Sequence, residues 1–381
     1  MLHEKRFAAE VQKTERNRNG IQEWMLARSL ILGMLCVALA VPAQAAPPVY
    51  PEVRPGYHLQ FPRDFGAHPD YRTEWWYVTG WLTTEDGKAL GFQVTFFRSR
   101  LNIDEANPSR FAPKQLIFAH AAIADPATGH LLHDQRAARA GFGLARADAG
   151  DTRVQLDDWH LTRANEAYTT HIRSREFSLD LTLTPAQPVL MQGDAGYSRK
   201  GALSGEASHY YSQPQVRVSG TVTRLGKAQS VRGTAWLDHE WSSSYLAKNA
   251  TGWDWTGINL DDGSALMLFR IRGKDGGKQW AGGTLRRADG SVTTYAPDAI
   301  AFTPLRRWRS PRTNTEYPVA MQIAVADMTI TLEPLMNDQE LDSRASTGAV
   351  YWEGAVTATR DGKAIGHGYL ELTGYFKPLK M

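Results

Sequence analysis

Apolar and polar residues alternate with a period of two along much of the chain. Three runs show the pattern clearly, at 177–184, 216–222 and 328–333, where apolar residues recur two positions apart. This spacing is typical of a β-strand with one buried face and one face in water. Asp-Gly dipeptides separate such runs and indicate tight turns; they stand at 86–87, 262–263, 289–290 and 361–362. The pattern predicts an all-β protein of antiparallel barrels or sandwiches.

The chain repeats itself in two places. Residues 75–98 and 253–272 both run from an aromatic cluster through Thr-Gly, Asp-Gly and Ala-Leu to an apolar stretch that ends in Arg. Residues 218–241 and 352–375 likewise share Gly, Val-Thr, a Gly-Lys turn, an aromatic residue, Leu and an acid. A unit that opens and closes alike, twice, predicts a duplicated domain.

The two predicted copies span 57–244 and 245–381, and a Pro-rich segment over 46–56 is expected to be an extended leader. The Ala/Arg stretch 134–147 is the best helix candidate, although two glycines weaken it. The first copy closes with Asp-His-Glu-Trp and the second with Glu-Leu-Thr-Gly. Shared residues are therefore expected to serve the fold, and residues found in one copy only are candidates for function.

Residues 1–45 have the features of a secretory signal peptide. An apolar run over 30–41 follows Arg28 and precedes a small-x-small sequence at 43–45. Because residues 1–24 are polar, Met25 is an alternative start, and the signal would then span 25–45. We expect an exported, soluble protein in the periplasm or outside the cell.

Cleavage after Ala45 would remove Cys36, the only cysteine, so neither a disulfide nor a thiolate site is expected in the mature chain. The formal charge of +3 would become +1, because the removed part holds six Lys/Arg and four Asp/Glu. A charge so near zero argues against a nucleic-acid partner, and the basic cluster 306–309 is expected to be a solvated loop.

Sequence motifs for cofactors are missing from the chain. The histidines lack the His-x-x-x-His or His-Glu-x-x-His spacing of metal sites, so no metal and no other cofactor is expected. A Gly-x-Ser-x-Gly elbow, a phosphate loop and a dinucleotide fingerprint are also missing. His239 with Asp238 or Glu240 would be the ligands in a third hypothesis, a metal-dependent hydrolase.

An acid and three aromatic residues open the first copy. On a strand, Glu74 and Trp76 share one face, and Trp75 and Tyr77 share the other. The aromatic residues fit either a barrel floor plugged by indoles or a binding wall. A carboxylate beside two indoles is desolvated, so we expect the pKa of Glu74 to rise and the group to donate a proton near neutrality.

A polar and aromatic segment, 208–212, lies further along the first copy. Ser208 and His209 are neighbours and would face opposite ways on a strand, so they cannot form a nucleophile–base pair. His209 and Tyr211 share a face and could line a cavity, with Tyr210 as a further binding candidate. The alternative is a hydrogen-bonded structural histidine.

Residues 236–241, Trp-Leu-Asp-His-Glu-Trp, are the strongest candidates for a functional site. Asp238 and Glu240 project one way, and His239 and Trp241 the other. Burying three consecutive titratable groups inside a barrel costs free energy, so we expect them to have a functional role. The alternative is a barrel rim where the charges reach water. The second copy keeps the aromatic residue, the Leu and the acid but loses the His.

Trp253, Asp254 and Trp255 open the second copy and match the first aromatic cluster in position, with the acid as the new element. A carboxylate flanked by indoles suits a proton donor or an orienting group. The alternative is a strand-end charge paired to an Arg.

Taken together, these motifs resemble the AttH-type, or carotenoid 1,2-hydratase-like, lipocalin-related family. The resembling segments cover almost the whole mature chain: 71–80, 92–98, 120–122, 208–212, 236–241 and 253–255. The resemblance implies two lipocalin-like antiparallel β-barrels packed together, a lipophilic pocket and no cofactor. Members are often described as secreted hydrolases, some relatives hydrate an isolated carbon–carbon double bond, and fungal relatives guide pericyclic ring closures. The hydratase branch works inside the cell, so the export signal argues against a carotenoid substrate.

We therefore expect an exported enzyme that acts on a lipophilic small molecule by cofactor-free acid–base chemistry, hydratase- or hydrolase-like. The first copy should build most of the site, with Asp254 added from the second. In the hydratase form Asp238 or Asp254 protonates an alkene, indole faces stabilise the cation, and a histidine assists water. The expected catalytic residues are Asp238, His239, Asp254, Glu74 and His209. The expected binding residues are Trp75, Trp76, Tyr77, Tyr210, Tyr211, Trp241, Trp253 and His120.

The second hypothesis is a non-enzymatic periplasmic carrier of lipids or other hydrophobic ligands. It needs the same pocket and explains the export signal equally well, and the titratable residues would then anchor the ligand by hydrogen bonds. A membrane-associated transport complex is the candidate partner in that case.

Overall fold

The computed structural model describes residues 48–104 and 106–379, together with the single residues Glu10 and Met25. The expected signal peptide lies outside the described residues, apart from those two positions. From Pro48 onward the chain forms one compact unit. Within the described part, no helix has both the length and the apolar character needed to cross a membrane.

Almost all regular structure in residues 48–379 is β-strand, with two 3-10 turns at Arg63–Phe65 and Pro297–Ala299. The first sheet has 13 strands: β1 (Thr73–Thr84), β2 (Ala89–Arg100), β3 (Gln115–Ala124), β4 (Leu132–Arg139), β5 (Ala145–Ala147), β6 (Arg153–Leu156), β7 (Trp159–Ala164), β8 (Ala167–Arg173), β9 (Phe177–Thr184), β10 (Leu190–Met191), β11 (Tyr197–Arg199), β12 (Ala207–Arg224) and β13 (Lys227–Ser244). The second sheet has 10: β14 (Ala250–Leu260), β15 (Ala265–Gly273), β16 (Lys278–Arg286), β17 (Val292–Tyr295), β18 (Ile300–Arg309), β19 (Glu316–Val325), β20 (Met328–Pro334), β21 (Glu340–Ser343), β22 (Ala349–Arg360) and β23 (Lys363–Leu372).

Both sheets have the same central order. Strands β3-β2-β1-β13-β12 lie side by side in the first, and β16-β15-β14-β23-β22 in the second. The first strand of each sheet therefore pairs with the second strand and with the last one, which places the repeated opening and closing segments side by side. The expected all-β architecture of two tandem lipocalin-like barrels is confirmed. We call them barrel 1 (73–244) and barrel 2 (250–372).

The predicted strands and turns agree with the structure, and the predicted helix does not. The alternating runs lie in β9, β12 and β20, and the four Asp-Gly dipeptides lie in turns between paired strands. The helix candidate 134–147 instead forms β4 and β5. Pairing with β3 satisfies the backbone of β4, and Gly141, Phe142 and Gly143 all adopt positive φ angles that no helix tolerates. The basic cluster 306–309 is the end of β18, not a loop.

Alternation along the strands places most of the buried apolar side chains in three large clusters, and two smaller clusters complete the core. One fills barrel 1 and includes Trp76 and Leu237, and a second fills barrel 2 and includes Trp352 and Leu370. A third combines side chains of both barrels, such as Tyr77 from β1 and Phe269 from β15. We call this third cluster the interface layer, because it lies where the outer faces of the two barrels pack together.

A segment that precedes β1, residues 57–72, covers one end of barrel 1, and we call it the strap. Phe65 packs there against Tyr211, and its carbonyl accepts hydrogen bonds from Trp76 Nε1 (3.2 Å) and Thr152 Oγ1 (2.8 Å). Gly66 passes so close to Gly150 that a Cβ added to Gly66 would lie 2.3 Å from the backbone nitrogen of Gly150. The strap thus closes the end of barrel 1 at which Glu74 lies.

Candidate functional site

The two faces of β13 point into different layers. Trp236 belongs to the interface layer and Leu237 to the core of barrel 1. Asp238 follows Trp236 in facing the interface, and His239 follows Leu237 in facing the interior, as alternation predicts. The acid and the histidine expected to act together are therefore separated by the sheet.

A network of charges fills the closed end of barrel 1. Glu74, which is 0% exposed, is its centre. Its Oε1 lies 2.7 Å from His68 Nδ1 and 2.8 Å from His239 Nε2. Its Oε2 accepts hydrogen bonds from Arg98 Nε (2.7 Å) and from the backbone N–H of His68 (2.9 Å). We call Glu74, His68, His239, Arg98 and Asp64 the Glu74 cluster.

The expectation of a raised pKa for Glu74 is wrong. Burial alone would raise it, but the charges of Arg98 and His68 and the hydrogen bond from His239 hold the pKa of Glu74 well below its usual value. The neighbouring indoles desolvate the carboxylate as expected; the cationic partners, which lie elsewhere in the sequence, outweigh that effect. Glu74 is an anion at neutral pH and has no proton to donate.

His68 carries two protons in this cluster. Its Nδ1 contacts Glu74, and its Nε2 lies 3.1 Å from Asp64 Oδ1, so both ring nitrogens face carboxylates. Carboxylates can only accept, so each nitrogen must donate. Burial opposes the positive charge, but Glu74 and Asp64 outweigh it and raise the pKa of His68. The charges in the cluster are therefore largely balanced by ion pairs.

Three groups of the same cluster could also be placed around a metal ion. The ligand atoms of His68, Glu74 and His239 lie within 4.8 Å of one another, the one such group found among the described residues. Arg98 and the doubly protonated His68 already neutralise the carboxylate, however, so a cation would have to displace protons before it could bind. The geometry fits a salt-bridge network better than a metal site.

Aromatic rings enclose the Glu74 cluster. Trp241 stacks on His68 at 3.6 Å between ring centroids, and Trp76 stacks on His239 at 4.6 Å. The Tyr211 hydroxyl lies 3.0 Å from His239 Nδ1. His209 shares a face with Tyr211, and burial lowers its pKa to about 4, so it is neutral. The aromatic residues after Glu74 were expected to form either a barrel floor plugged by indoles or a binding wall. The position of Trp76 fits the barrel floor.

Asp254 does not join Asp238, contrary to the expected shared site. It is fully buried on the inner face of β14, opposite to Trp253 and Trp255. Its carboxylate accepts hydrogen bonds from Arg270 Nε (2.5 Å) and Arg272 Nε (3.0 Å). The alternative stated for this residue, a strand charge paired to arginine, is what the structure shows.

The interface layer holds a second group of acids, which we call the interface acids. Barrel 1 supplies Asp238 and Glu240, and barrel 2 supplies Glu353 and Glu371. All except the partly buried Glu371 are at most 5% exposed. Buried carboxylates usually have cationic partners, yet within residues 48–104 and 106–379 Glu240 is the only one of the four with such a partner, Lys200 Nζ at 2.8 Å. The other three lie among aromatic side chains.

Asp238 is an acceptor surrounded by donors. Oδ1 accepts from Ser212 Oγ (2.5 Å) and Trp236 Nε1 (2.6 Å), and Oδ2 accepts from the Tyr210 hydroxyl (2.7 Å). Burial nevertheless outweighs these bonds and raises the pKa of Asp238 to about 7. The group can take up and release a proton near neutral pH, and its hydrogen bonds favour the ionised form as the acceptor of a proton.

Glu353 has the opposite character. Its Oε1 accepts a 2.5 Å hydrogen bond from the Tyr77 hydroxyl, while Oε2 is buried without a partner among the described residues. Burial, reinforced by the charge of Glu371, raises the pKa of Glu353 well above its usual value. A carboxyl group with a bare buried oxygen and no nearby cation keeps its proton.

Glu371 is the counterpart of Asp238 in the second copy. Trp236-Leu237-Asp238 matches Tyr369-Leu370-Glu371 in sequence, and in both segments the Leu lies in its barrel core and the aromatic residue in the interface layer. Trp253 Nε1 donates to Glu371 Oε2 at 2.8 Å, and burial raises the pKa of Glu371 to about 7.

The expectation that Asp254 is the acid that the second copy adds to the site therefore differs from the structure, in which the second copy supplies Glu353 and Glu371 to the interface layer. Glu371 was missed because the acid is shared by both copies and was taken for a residue that serves the fold, and Glu353 was not singled out. The signal that could have found Glu371 was its match to Asp238. Glu353 has no matching acid in the first copy, and that difference between the copies was the signal that could have found it.

Hydrogen bonds cross between the barrels in both directions. Tyr77 of barrel 1 donates to Glu353 of barrel 2, and Trp255 Nε1 of barrel 2 donates to the Tyr210 hydroxyl at 3.1 Å. Tyr77 also lies directly opposite Asp238 in the β1–β13 ladder. Each bond links an acid of one barrel to an aromatic side chain of the other, directly for Glu353 and through Tyr210 for Asp238.

Two further binding candidates border the interface layer. Trp75 stacks on Tyr245 at 4.5 Å and lies 6.3 Å from Trp253. His120 Nδ1 lies 2.8 Å from the Tyr351 hydroxyl, and burial lowers the pKa of His120 to about 3, so the ring is neutral. Of the predicted site residues, the structure thus brings Asp238, Tyr77, Tyr210, Trp75 and Trp253 to the interface.

Asp238 makes stability depend on pH in a predictable direction. The pKa of this group is about 7 in the fold against 3.8 without it, so the fold favours the protonated form. The contribution of protonated Asp238 to the free energy of unfolding is fully present below pH 3.8 and is lost as pH rises to about 7. Between pH 5 and 8 the wild type should lose about 2 kcal/mol of unfolding free energy relative to Asp238→Asn. Urea unfolding of both proteins at the two pH values measures this; parallel curves would contradict it.

Comparison with known proteins gives a consistent picture. A family model described as AttH-like matches residues 52–375. The crystal structure of a protein from Nitrosomonas europaea, provisionally assigned to AttH, is 56% identical, with a TM-score of 0.80 over 87% of this chain and 99% of that one. No curated protein sequence gives a significant match.

Two more distant structures share the fold. Kievitone hydratase from Nectria haematococca aligns with a TM-score of 0.66 at 12% identity, over 87% of this chain and 98% of that one. CghA aligns with a TM-score of 0.52 at 13% identity, over 88% and 97%. At such identities the likeness is one of fold alone.

Proposed function

The chain belongs to the AttH-like family, and we propose that it adds water to a double bond of a lipophilic small molecule held between its two barrels. The observation that carries this proposal is the pairing of a protonated acid, Glu353, with a hydrogen-bonded acceptor, Asp238, inside an aromatic layer. Two carboxyl groups whose surroundings give them different protonation states at one pH are the usual arrangement for acid and base roles.

Glu353 is the proton donor in this mechanism. Its unpartnered Oε2 is the atom from which a proton can leave towards an alkene carbon. The carbon–carbon π bond breaks as the C–H bond forms, and a carbocation remains on the neighbouring carbon. Indole faces attract cations, and Trp253 and Trp255 supply them at this layer.

Asp238 is the base. Three donors hold its carboxylate, so it is better placed to accept a proton than to give one. A water molecule attacks the cation and gives a proton to Asp238, which completes the alcohol. Tyr77, opposite Asp238 and bonded to Glu353, offers a route to return the proton. This assignment reverses the role of proton donor that the sequence suggested for Asp238.

The Glu74 cluster has a structural role in this proposal. His239, Trp241 and Glu74 lie on the far side of β13 from Asp238, and the strap covers them. They cannot act on the same substrate molecule as the interface acids. We also retain the proposal of export, because the apolar run at 30–41 is followed by a small-x-small sequence.

Labelled water tests the proposed reaction. The purified protein is incubated in H₂¹⁸O with kievitone and a panel of other prenylated or terpenoid alkenes, and products are followed by mass spectrometry. The expected result is an alcohol that carries one ¹⁸O atom. Ligands that bind and are recovered unchanged, across the panel, would instead favour the carrier hypothesis.

A further inference from the structure

A cleft at one end of barrel 2 is separate from the interface acids. It has a volume of about 580 Å³, which lies in the range of small-molecule sites, and its lining includes Arg270, Arg272, Lys274 and Arg307. We infer that this cleft binds an organic anion, a carboxylate or phosphate attached to an apolar body. This inference does not depend on the proposed function.

The cleft carries an excess of positive charge. Four cationic side chains line the cleft, and two carboxylates compensate them: Asp254 beneath the two buried arginines and Glu316 at 3.5 Å from Arg307. In the described part of the chain, no carboxylate lies within ion-pair distance of Lys274. An excess of positive charge in a concave site attracts anions.

The side chains of Arg270 and Arg272 are held in place by their neighbours. Asp254 accepts from the Nε atoms of Arg270 and Arg272, which fixes both side chains. Each guanidinium then donates to one backbone carbonyl, of Phe302 and of Thr373. The Tyr375 ring lies 3.8 Å from the Arg272 guanidinium carbon and orients it further. Guanidinium groups held in this way are suited to carboxylates and phosphates.

Barrel 1 contains an ion pair at the position equivalent to that of Asp254 and Arg270. There too a buried acid on the first strand, Glu74, pairs across the hairpin with an arginine, Arg98, as Asp254 pairs with Arg270. In barrel 1 the strap occupies the space above the pair, and carbonyls of His68 and Tyr71 accept from Arg98. The corresponding end of barrel 2 is an open cleft, where a ligand's anionic oxygens could accept from the guanidinium N–H groups that do not donate to Asp254, Phe302 or Thr373.

The chemistry of the remaining wall indicates the rest of the ligand. Pro304, Pro318, Pro378 and the ring of Tyr375 line the cleft beside the cations. Proline and tyrosine rings offer apolar contact surface, so the ligand should carry a hydrocarbon part next to its charged group. An inorganic anion would leave that surface unused.

Isothermal titration calorimetry with the full chain tests the inference, with decanoate and decyl phosphate as anionic probes and decan-1-ol as the neutral control. Both anions should bind, and decan-1-ol at least about tenfold more weakly, because it lacks the charge-assisted hydrogen bonds. Whichever anion binds more tightly identifies the head group. Equal affinity for the alcohol and the anions would overturn the inference.

Charge-reversal variants locate the binding. Lys274→Glu combined with Arg307→Glu changes two exposed side chains and should lower decanoate affinity by at least about tenfold. The matched control is Arg360→Glu with Lys363→Glu, two exposed cations at the β22–β23 turn that do not line the cleft. Glu353→Gln should leave decanoate affinity unchanged. An equal loss in the control pair, or a loss only in Glu353→Gln, would show that decanoate binds elsewhere.

Discussion

Glu353→Gln should lower the rate of substrate hydration by roughly 10²–10⁴-fold, the usual contribution of a general acid. Glutamine has the same shape and keeps an oxygen that can accept from the Tyr77 hydroxyl, which now donates to Glu353. It has no acidic proton to give to an alkene. The binding constant for the substrate should change little, since the aromatic walls remain.

The rate is measured as ¹⁸O incorporation, and binding is measured separately by calorimetry. Asp238→Asn, which removes the base, should give a loss of similar size. Glu333→Gln, an acid on the exposed surface that pairs with Arg306, is the matched control and should hydrate at the wild-type rate. If Glu353→Gln loses affinity while its turnover is unchanged, Glu353 is a binding residue and not the acid.

Glu74→Ala should lower the free energy of unfolding by about 3–5 kcal/mol, the usual cost of removing one partner from a buried ion pair. Arg98 is 2% exposed and would lose its carboxylate, while His68 would lose the main charge that keeps it protonated. The strap should also loosen, because the backbone N–H of His68 donates to Glu74.

Urea unfolding followed by tryptophan fluorescence measures this change. Glu316→Ala is the control, because its partners Arg307 and Arg309 are exposed and such surface pairs contribute at most about 1 kcal/mol. The account of barrel 1 would be contradicted if the two variants were equally stable. Proteolysis within 57–72 should also be faster in Glu74→Ala than in the wild type.

The architecture could be predicted from the sequence because it follows from local pattern. A period of two along the strands and Asp-Gly turns between them are short-range signals. The repeated opening and closing segments predicted a duplicated domain, and the two sheets do share their central strand order. The helix candidate 134–147 failed because pairing with β3, a long-range contact, decided its conformation.

The site was harder to predict because its chemistry depends on contacts between distant residues. Alternation correctly placed Asp238 and His239 on opposite faces, but it could not tell which face met the other barrel. The pKa of Glu74 was predicted in the wrong direction because Arg98 and His68 approach it only in the folded chain. Glu353 could not be recognised from its neighbours in sequence, since Tyr77, its partner, is 276 positions away.

The duplication has a consequence for function. Each copy contributes an aromatic residue and an acid to the interface layer from equivalent positions, Trp236 and Asp238 in one, Tyr369 and Glu371 in the other. The proposed site is therefore formed where two similar units pack together, outside both barrel interiors. The two interiors instead hold salt bridges, one covered by the strap and one open to the barrel 2 cleft.

The central claim is that Glu353 keeps its proton at neutral pH. Infrared difference spectroscopy in D₂O, comparing the wild type with Glu353→Gln, measures this directly through the carbonyl stretch of a protonated carboxyl group. The account predicts such a band in the wild type at pH 7 and its loss in the variant, with the band persisting as pH is raised further. Asp238 and Glu371, with pKa values of about 7, contribute to the spectra of both proteins, so the difference spectrum isolates Glu353. A wild-type-minus-variant spectrum at pH 7 without a protonated carboxyl band would contradict the account.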